Sequence, residues 1–384
     1  MKNKTQLDGM PVWFDGKSIN EALFCEEFLQ THKIIFTNGA FFTPEGRVTD
    51  ELPLRGEIFE ELKCCAVSNI PRKISNIVEL MKLAALAEDF PPEPDRIHLS
   101  NGTLFLDGTF AEGKPKIVRN RFPVAYNPNA PKPVLWLQFL DGLLYLEDIP
   151  TLQEYIGYCL IPSNKGQRMM VIKGNGGEGK SQIGAVLGTL FGSNMKDGSI
   201  GKISENRFAR ADLEHILLCV DDDMRMEALR QTNYVKSIVT AQDKMDLERK
   251  GKQSYQGWMC ARLLAFSNGD LQALFDRSDG FYRRQLVLTT KEKPAGRVDG
   301  DLSFGGQNSQ PWSWALRRGC CGLSELFPDA QRVRRGAARL HTQTGPWVAA
   351  GFSASHRPRR VAGSGNPVER RGGNRNRKGQ PPCP

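Results

Sequence analysis

The chain has 384 residues, of which 40% are hydrophobic and 25% charged, so it is long enough for about two or three globular domains. No apolar run approaches the roughly 20 residues that span a bilayer, and no apolar signal core follows Met1, so we expect a cytoplasmic protein with no membrane partner. The nine cysteines form no C-x-x-C pair and the five histidines are scattered, which argues against a zinc site or a disulfide framework.

The net charge of +9 is concentrated in the C-terminal part of the chain. From Arg297 onward there are fourteen arginines, one lysine and five acidic residues, so residues 297–384 carry +10 and the rest of the chain carries −1. This Arg-, Gly- and Pro-rich tail also contains no Ile and no Tyr, and we expect it to be largely disordered. Because the body is nearly neutral, any binding of nucleic acid there must be local.

Residues 1–95 are predicted to form a mainly helical N-terminal region. Leu23–Phe28 and Ile58–Leu62 have the apolar spacing of helices, and Ile74–Ala87 is a clear amphipathic helix. The proline cluster Phe90–Pro94 cannot continue a helix and marks a boundary.

Residues 96–165 are predicted to form a smaller domain with both strands and helices. Apolar residues alternate around Asn101-Gly102, which predicts a β-hairpin. Arg119–Tyr126 is predicted to be extended, and Val134–Leu160 to form short helices rich in Leu and Trp. The turn Ile161–Gly166 leads into the next domain.

Residues 166–296 are predicted to form an α/β domain with a parallel sheet. Met169–Ile172, Ile216–Val220 and Ala261–Ser267 are short apolar runs typical of buried strands. Ser181–Phe191 and Asp223–Ile238 are predicted helices between them. Buried strands that alternate with helices indicate a parallel sheet covered on both faces.

A glycine-rich turn follows the first of these strands and matches the P-loop pattern G-x-x-x-x-G-K-[ST]. Its glycines let backbone N–H groups converge on a phosphate, and the helix that follows adds its N-terminal dipole. Lys180 is expected to reach the terminal phosphates of ATP, and the Ser181 hydroxyl to hold Mg²⁺. The alternative is an ordinary glycine turn with a solvated lysine. The predicted cofactor-binding residues are Gly174, Asn175, Gly176, Gly177, Glu178, Gly179, Lys180 and Ser181.

Three acidic residues follow the strand Ile216–Val220, about forty residues after the P-loop. We predict that Asp221 binds the metal and that Asp222 polarises the attacking water. A shift of one residue would move these roles to Asp222 and Asp223. The alternative is an acid-rich helix N-terminus, which is common because anions favour that end.

Polar and basic residues near the next two strands complete the predicted ATPase site. Asn268 follows the strand Ala261–Ser267, where it could contact the γ-phosphate and the water, although Asn-Gly is also a simple turn signal. Arg283 or Arg284, directly before another apolar strand, is a predicted arginine finger from a neighbouring subunit. A surface pair of arginines is the alternative.

Basic and aromatic residues lie between the carboxylate strand and the Asn268 strand. In Leu247–Trp258, basic residues surround a glycine and aromatic residues follow, as in a hairpin that binds DNA phosphates through Lys250 and Lys252. The simpler interpretation is a solvated charged loop.

The ordered set of motifs resembles superfamily 3 helicases, specifically the helicase portion of phage and plasmid primase-helicase proteins. Gly174–Ser181 matches motif A, Ile216–Asp222 matches motif B and Leu264–Asn268 matches motif C. Lys250–Trp258 lies where the family has its basic hairpin, and Asp279–Arg284 resembles its arginine-finger segment.

The resemblance covers about residues 95–296 and implies an α/β P-loop NTPase fold of the AAA+-like kind. It also implies a homo-hexameric ring with ATP held between subunits. It implies translocation on single-stranded or forked DNA during replication of a phage or mobile element in a bacterial host. The N-terminus shows no primase polymerase or zinc module, so a separate primase or other replication protein is an expected partner. Two alternatives are another oligomeric DNA motor, such as a packaging ATPase, and an inactive replication scaffold.

The resemblance ends at Arg297, where the family would continue with helices that close the ATPase domain. The abrupt change of composition there is typical of translation in a shifted reading frame, and a frameshift near codon 297 is one hypothesis. The other is a basic tail that binds nucleic acid without sequence specificity.

Overall fold

Three helices and a small antiparallel sheet come from the N-terminal residues of the chain. The computed structural model describes residues 10–65, 68–113, 116–130, 133–224, 229, 232–269 and 279–292. In chain order the first elements are α1 (Glu21–His32), β1 (Ile35–Thr37), β2 (Ala40–Thr43), β3 (Gly46–Arg47), α2 (Glu51–Leu62) and α3 (Ile70–Ala84). The predicted helices are present, but the one expected at Ile74–Ala87 begins earlier and ends at Ala84.

Local chemistry sets the ends of these helices. The Asn20 side chain accepts hydrogen bonds from the backbone of Ala22 and Leu23, each at 3.2 Å, so it caps α1. Pro71 lies in the first turn of α3, where a missing N–H costs nothing, which explains the early start of that helix. The apolar faces of the three helices pack into one core that includes Phe24, Phe28, Ile58, Ile77 and Met81.

A second antiparallel sheet follows, then two helices. Its strands are β4 (Arg96–Leu99), β5 (Gly102–Phe105) and β6 (Phe110–Glu112), and the predicted hairpin around Asn101-Gly102 is confirmed. The helices are α4 (Val134–Leu143) and α5 (Ile149–Cys159), as the sequence predicts. The segment 119–126, all of it described, forms no strand; a single bridge joins Arg121 to His98.

The remaining elements build a five-stranded sheet in which all neighbouring strands are parallel, in the order β13-β7-β12-β9-β8. A two-stranded antiparallel hairpin, β10-β11, stands apart from this sheet. The predicted α/β fold is therefore confirmed. In chain order the elements are β7 (Met169–Lys173), α6 (Ser181–Phe191), β8 (Met195–Asp197), α7 (Ile200–Glu205), α8 (Arg207–Ala211), β9 (Leu218–Met224), α9 (Asn233–Thr240), β10 (Lys244–Leu247), β11 (Tyr255–Trp258), β12 (Arg262–Ser267), α10 (Asp279–Tyr282) and β13 (Gln285–Thr289).

The central strands are apolar because helices cover both of their faces. Every residue of β12 is buried, and one core joins Val171, Cys219 and Leu263 to residues of α7 and α9. On the side of α5, the Tyr155 hydroxyl donates to the Leu263 carbonyl at 2.8 Å. This packing holds the ends of β7 and β12 side by side.

The predicted helix Asp223–Ile238 is wrong at its N-terminal end. Asp223 and Met224 belong to β9, and the helix begins only at Asn233. The strand continues because Met224 pairs with Ser267 of β12, after a bulge between the Ala265 and Ser267 pairs. Long-range pairing therefore overrides the helical pattern that the acidic residues indicate locally.

Some predictions fall on residues outside the described ranges. These are the tail, residues 297–384, predicted to be disordered or frameshifted, and residues 225–228, 230 and 231 of the predicted helix Asp223–Ile238. Among the helices of the described residues, none is long and apolar enough to cross a membrane.

Candidate nucleotide-binding site

The glycine-rich loop connects the end of β7 to the first residue of α6, as the P-loop pattern predicts. Gly176, Gly177 and Gly179 have φ values of 100°, 77° and 100°, in the left-handed region that favours glycine. The Gly174 N–H donates to the Ser267 carbonyl at 3.0 Å, which joins the loop to β12. The loop therefore forms a concave turn above two central parallel strands.

The cradle of the loop is filled by the carboxylate of Glu178. The Gly176 N–H lies 2.9 Å and 3.0 Å from the two carboxylate oxygens, and the Asn175 N–H donates to Oε1. Lys180 Nζ donates to Oε2 at 2.8 Å. Glu178 and Lys180 are only 5% and 7% exposed. The backbone N–H groups and the lysine are thus already oriented toward an anion.

Burial by itself would raise the pKa of Glu178. The hydrogen bonds from Lys180 and the loop backbone lower the pKa, and their combined effect is larger than that of burial. The pKa of Glu178 therefore lies below its ordinary value, and the side chain is ionised at neutral pH. Sequence reasoning included Glu178 only as one residue of the loop. The signal that it missed is an acidic side chain two positions before the P-loop lysine.

Asn268 lies where the sequence predicts a phosphate sensor. Its Oδ1 atom is 3.4 Å from Lys180 Nζ, and a Cβ added at Gly176 would lie 3.8 Å from the Asn268 amide. This closeness arises because β12 and β7 are adjacent and parallel, with Ser267 paired to Lys173. The structure thus brings Asn268 to the P-loop, while its role as a sensor stays a prediction.

The three aspartates lie at the end of β9, on the same edge of the sheet as the P-loop. Asp221 is 6% exposed, and its Oδ2 accepts a hydrogen bond of 2.7 Å from the Ile200 N–H. Burial, and then the neighbouring charges of Asp223 and Asp222, raise the pKa of Asp221. Asp222 and Asp223 are exposed at the bulge. The metal-binding and water-polarising pair, Asp221 with Asp222 or Asp222 with Asp223, stays a prediction.

Ser181, the other predicted metal ligand, is the first residue of α6 and follows Lys180 directly. The described residues contain no group of three or more His, Cys, Asp or Glu side chains that could hold a metal alone. A hydroxyl and carboxylates at the same edge of the sheet as this anion-binding loop would fit Mg²⁺ instead, because this ion commonly takes oxygen ligands from a bound nucleotide as well.

Arg283 and Arg284 lie at the opposite edge of the sheet from the P-loop. They precede β13, whose first residue, Gln285, pairs with Met169 at the start of β7. Arg283 is exposed, and Arg284 is partly buried and donates to the Gly280 carbonyl. Burial and then the charge of Arg283 lower the pKa of Arg284. The structure does not bring these arginines to the P-loop of their own chain.

Lys250 and Lys252 are exposed in the turn between β10 and β11, so the predicted hairpin is present. Sequence reasoning missed how this hairpin is held. At its turn end, Glu214 Oε2 accepts from Arg249 Nη2 at 2.7 Å and from the Tyr255 hydroxyl at 2.6 Å. A buried carboxylate thus fixes the base of the turn that carries both lysines.

The other end of the hairpin is held by Asp89, from the N-terminal part of the chain. Asp89 Oδ2 accepts from Trp258 Nε1 at 2.8 Å and lies 3.2 Å from Lys244 Nζ. Asp89 also pairs with the buried Arg119, which in turn donates to His215 Nδ1 at 2.7 Å. Burial, and then the positive charge of Arg119, lower the pKa of His215 to about 3. No sequence motif marks this network, because its members come from distant segments.

Comparison with known proteins gives a match of one family model to part of the chain and a similarity in fold. A family model described as a family of unknown function, DUF5906, matches residues 172–284. No curated protein matches the chain. Two apo A-form structures of the NrS-1 C-terminal region match at TM-scores of 0.48, with 14% and 13% identity, over 81% and 83% of this chain and 71% and 74% of those chains.

A further apo structure of the NrS-1 C-terminal region, residues 305–718, matches with a TM-score of 0.50 and 13% identity. The match covers 86% of this chain and 76% of that chain. At this identity the likeness concerns the fold. The chain is therefore similar in fold to the C-terminal region of NrS-1.

Proposed function

We propose that this protein is an ATP-dependent DNA helicase of the superfamily 3 type that acts in replication of a phage, prophage or plasmid. The observation that carries the proposal is the glycine-rich loop at the ends of β7 and β12. Its backbone N–H groups and Lys180 converge on one anionic group, the carboxylate of Glu178. This geometry suits the phosphates of ATP. The similarity in fold to the C-terminal region of NrS-1, a primase-helicase, supports a replication protein.

Each residue of the cradle region has a chemical task in this proposal. The loop Gly174–Ser181 binds the phosphates, and Lys180 neutralises charge on the terminal ones. Ser181 and Asp221 would hold Mg²⁺, which would neutralise phosphate charge. Asp222 orients the attacking water, and Asn268 contacts the γ-phosphate. In the alternative register, Asp222 and Asp223 take the two acidic roles.

The distant position of Arg283 and Arg284 supports a site shared between subunits. A guanidinium that stabilises the transferring phosphoryl group must touch it. Because β7 separates these arginines from their own P-loop, they would act on the ATP of a neighbouring subunit. A closed ring, with a homo-hexamer as the proposed state, lets every site receive such a finger.

DNA binding is assigned to the exposed turn that carries Lys250 and Lys252. The body has a net charge of −1, so these two lysines would act as a local contact for the phosphates of single-stranded or forked DNA. A separate primase or another replication protein is the proposed partner, and the proposed location is the bacterial cytoplasm.

Measurements of ATP turnover, with and without single-stranded DNA, and of forked-DNA unwinding test this function. We expect DNA-stimulated turnover and unwinding in the wild type, loss of both in Lys180→Ala, and wild-type values in Lys17→Ala, an exposed control. Turnover without unwinding would instead identify another DNA motor. Absence of turnover with retained DNA binding would leave a replication scaffold and refute the proposal.

A further inference from the structure

The nucleotide cradle of this protein already carries an anion of its own. The carboxylate of Glu178 accepts from the N–H groups of Asn175 and Gly176 and pairs with Lys180 at 2.8 Å. Backbone N–H groups of the loop and the lysine are the donors that a P-loop normally offers to phosphate. The side chain of Glu178 and a bound phosphate therefore compete for the same donors.

The position of this carboxylate is stabilised by specific contacts. A glutamate in a surface loop can extend its charge into water, but this side chain is only 4% exposed. Burying a charge is unfavourable unless it is paired and hydrogen-bonded, and here both conditions are met. The missing side chain at Gly174 leaves the space, because a Cβ there would lie 2.7 Å from Glu178 Oε1.

We propose that Glu178 is an internal competitor of the nucleotide, which closes the empty cradle and must leave it before phosphate can bind. This inference rests on the nucleotide site of the proposed function. The closed and the phosphate-bound arrangements exclude each other, since both use Lys180 and the Gly176 N–H. The apparent affinity for nucleotide is therefore reduced by the fraction of molecules in which the cradle is closed.

A purely structural role for Glu178 makes the opposite prediction. If the carboxylate only holds the loop in a shape that phosphate needs, its removal loosens the loop and weakens nucleotide binding. If it competes, its removal frees two N–H groups and Lys180 and tightens binding. The sign of the change in affinity thus distinguishes the two roles.

The test measures the affinity of wild type, Glu178→Gln and Glu178→Ala for three probes by calorimetry: ATP with Mg²⁺, inorganic pyrophosphate and adenosine. Loss of a charged competitor should tighten ATP binding by at least about tenfold, because each of its charge-assisted hydrogen bonds contributes on the order of one tenfold step. Pyrophosphate should show the same gain, since it occupies only the cradle. Adenosine carries no phosphate, so its affinity should not change. Glu112→Gln, an exposed residue of β6, is the matched control and should bind as the wild type does.

Equal or weaker binding of ATP and pyrophosphate by both Glu178 variants would overturn the proposal. Thermal unfolding of each variant checks that it is folded. If one of the two Glu178 variants does not fold, the other alone is enough for the test. Lys180→Ala separates this result from a failure of the proposed function. If Lys180→Ala abolishes ATP binding while the Glu178 variants bind ATP no more tightly than the wild type, only the competitor role is refuted. If Lys180→Ala binds ATP as the wild type does, the nucleotide site itself is misassigned and both proposals fail.

Discussion

The carbonyl oxygen of Arg284 accepts a hydrogen bond of 2.9 Å from the N–H of Met169, the first residue of β7. The P-loop begins only after Lys173, at the other end of the same strand. A strand of this length spans about 15 Å. Arg283 and Arg284 are therefore too far along the sheet to approach the glycine-rich loop of their own chain.

This separation predicts that arginine and lysine variants complement each other. Alanine at the finger position, Arg283 or Arg284, should lower ATP turnover by about a thousandfold, and Lys180→Ala should abolish it. When the two inactive proteins are mixed and reassembled, some interfaces combine an intact finger with an intact P-loop. In an equal, random mixture about a quarter of the interfaces are of this kind, so turnover should recover toward about a quarter of the wild-type value.

Turnover assays on the mixtures at increasing total concentration check this prediction. Arg72→Ala, an exposed arginine of α3, is the control and should keep wild-type turnover alone. A finger variant for which mixing restores nothing, or full activity in both arginine variants, would argue against a shared site.

Asparagine substitutions in β9 should show which aspartate orients the attacking water. If Asp222 orients the attacking water, Asp222→Asn lowers turnover by about a hundredfold or more while ATP still binds, and Asp223→Asn remains close to wild type. If the roles lie one residue further on, Asp223→Asn shows the large loss of turnover instead. Single-turnover hydrolysis together with ATP binding measures both quantities.

Asp221 should show opposite effects on turnover and stability. Its pKa is raised in the folded state, so the fold favours the protonated form, and stability is lost as pH rises through the folded pKa. Asn cannot ionise and can still accept the bond from Ile200. We therefore expect Asp221→Asn to lose turnover yet to have a Tm equal to or above that of the wild type at pH 7. A markedly lower Tm would contradict this account of the buried carboxylate.

The hairpin lysines should contribute to DNA binding through charge alone. Lys250→Ala and Lys252→Ala should each weaken single-stranded DNA binding and reduce the slope of log K against log salt by about 0.7. Fluorescence anisotropy over a range of salt concentrations measures both effects, with Lys17→Ala as the control. An unchanged slope in the double variant would place the DNA contact elsewhere.

His215 should make the protein sensitive to acid. Its pKa is lowered from 6.5 to about 3 in the folded state, so the unfolded chain takes up a proton at a higher pH than the folded one. The stabilisation of the folded state by neutral His215 is thus fully present above pH 6.5 and is lost as the pH falls toward 3. Urea unfolding at pH 7 and pH 5 should show a smaller decrease for His215→Gln than for the wild type; equal decreases would refute this role.

Local sequence determined the parts of this protein whose hydrogen bonds and apolar faces are local. The strand, glycine loop and helix at Met169–Phe191 follow the prediction because glycine positions and helical spacing are read within a few residues. The helix α3 is recognised for the same reason, although its start was predicted four residues too late and its end three residues too late.

Tertiary structure decided which of these pieces meet. The strand order β13-β7-β12-β9-β8 brings Asn268 to Lys180 and carries Arg284 to the far edge. Pairing with β12 keeps Asp223 in a strand, against the local helical pattern. The closure of the cradle by Glu178 depends on backbone angles and on a lysine oriented by the fold, because a carboxylate stays buried only where several donors converge on it.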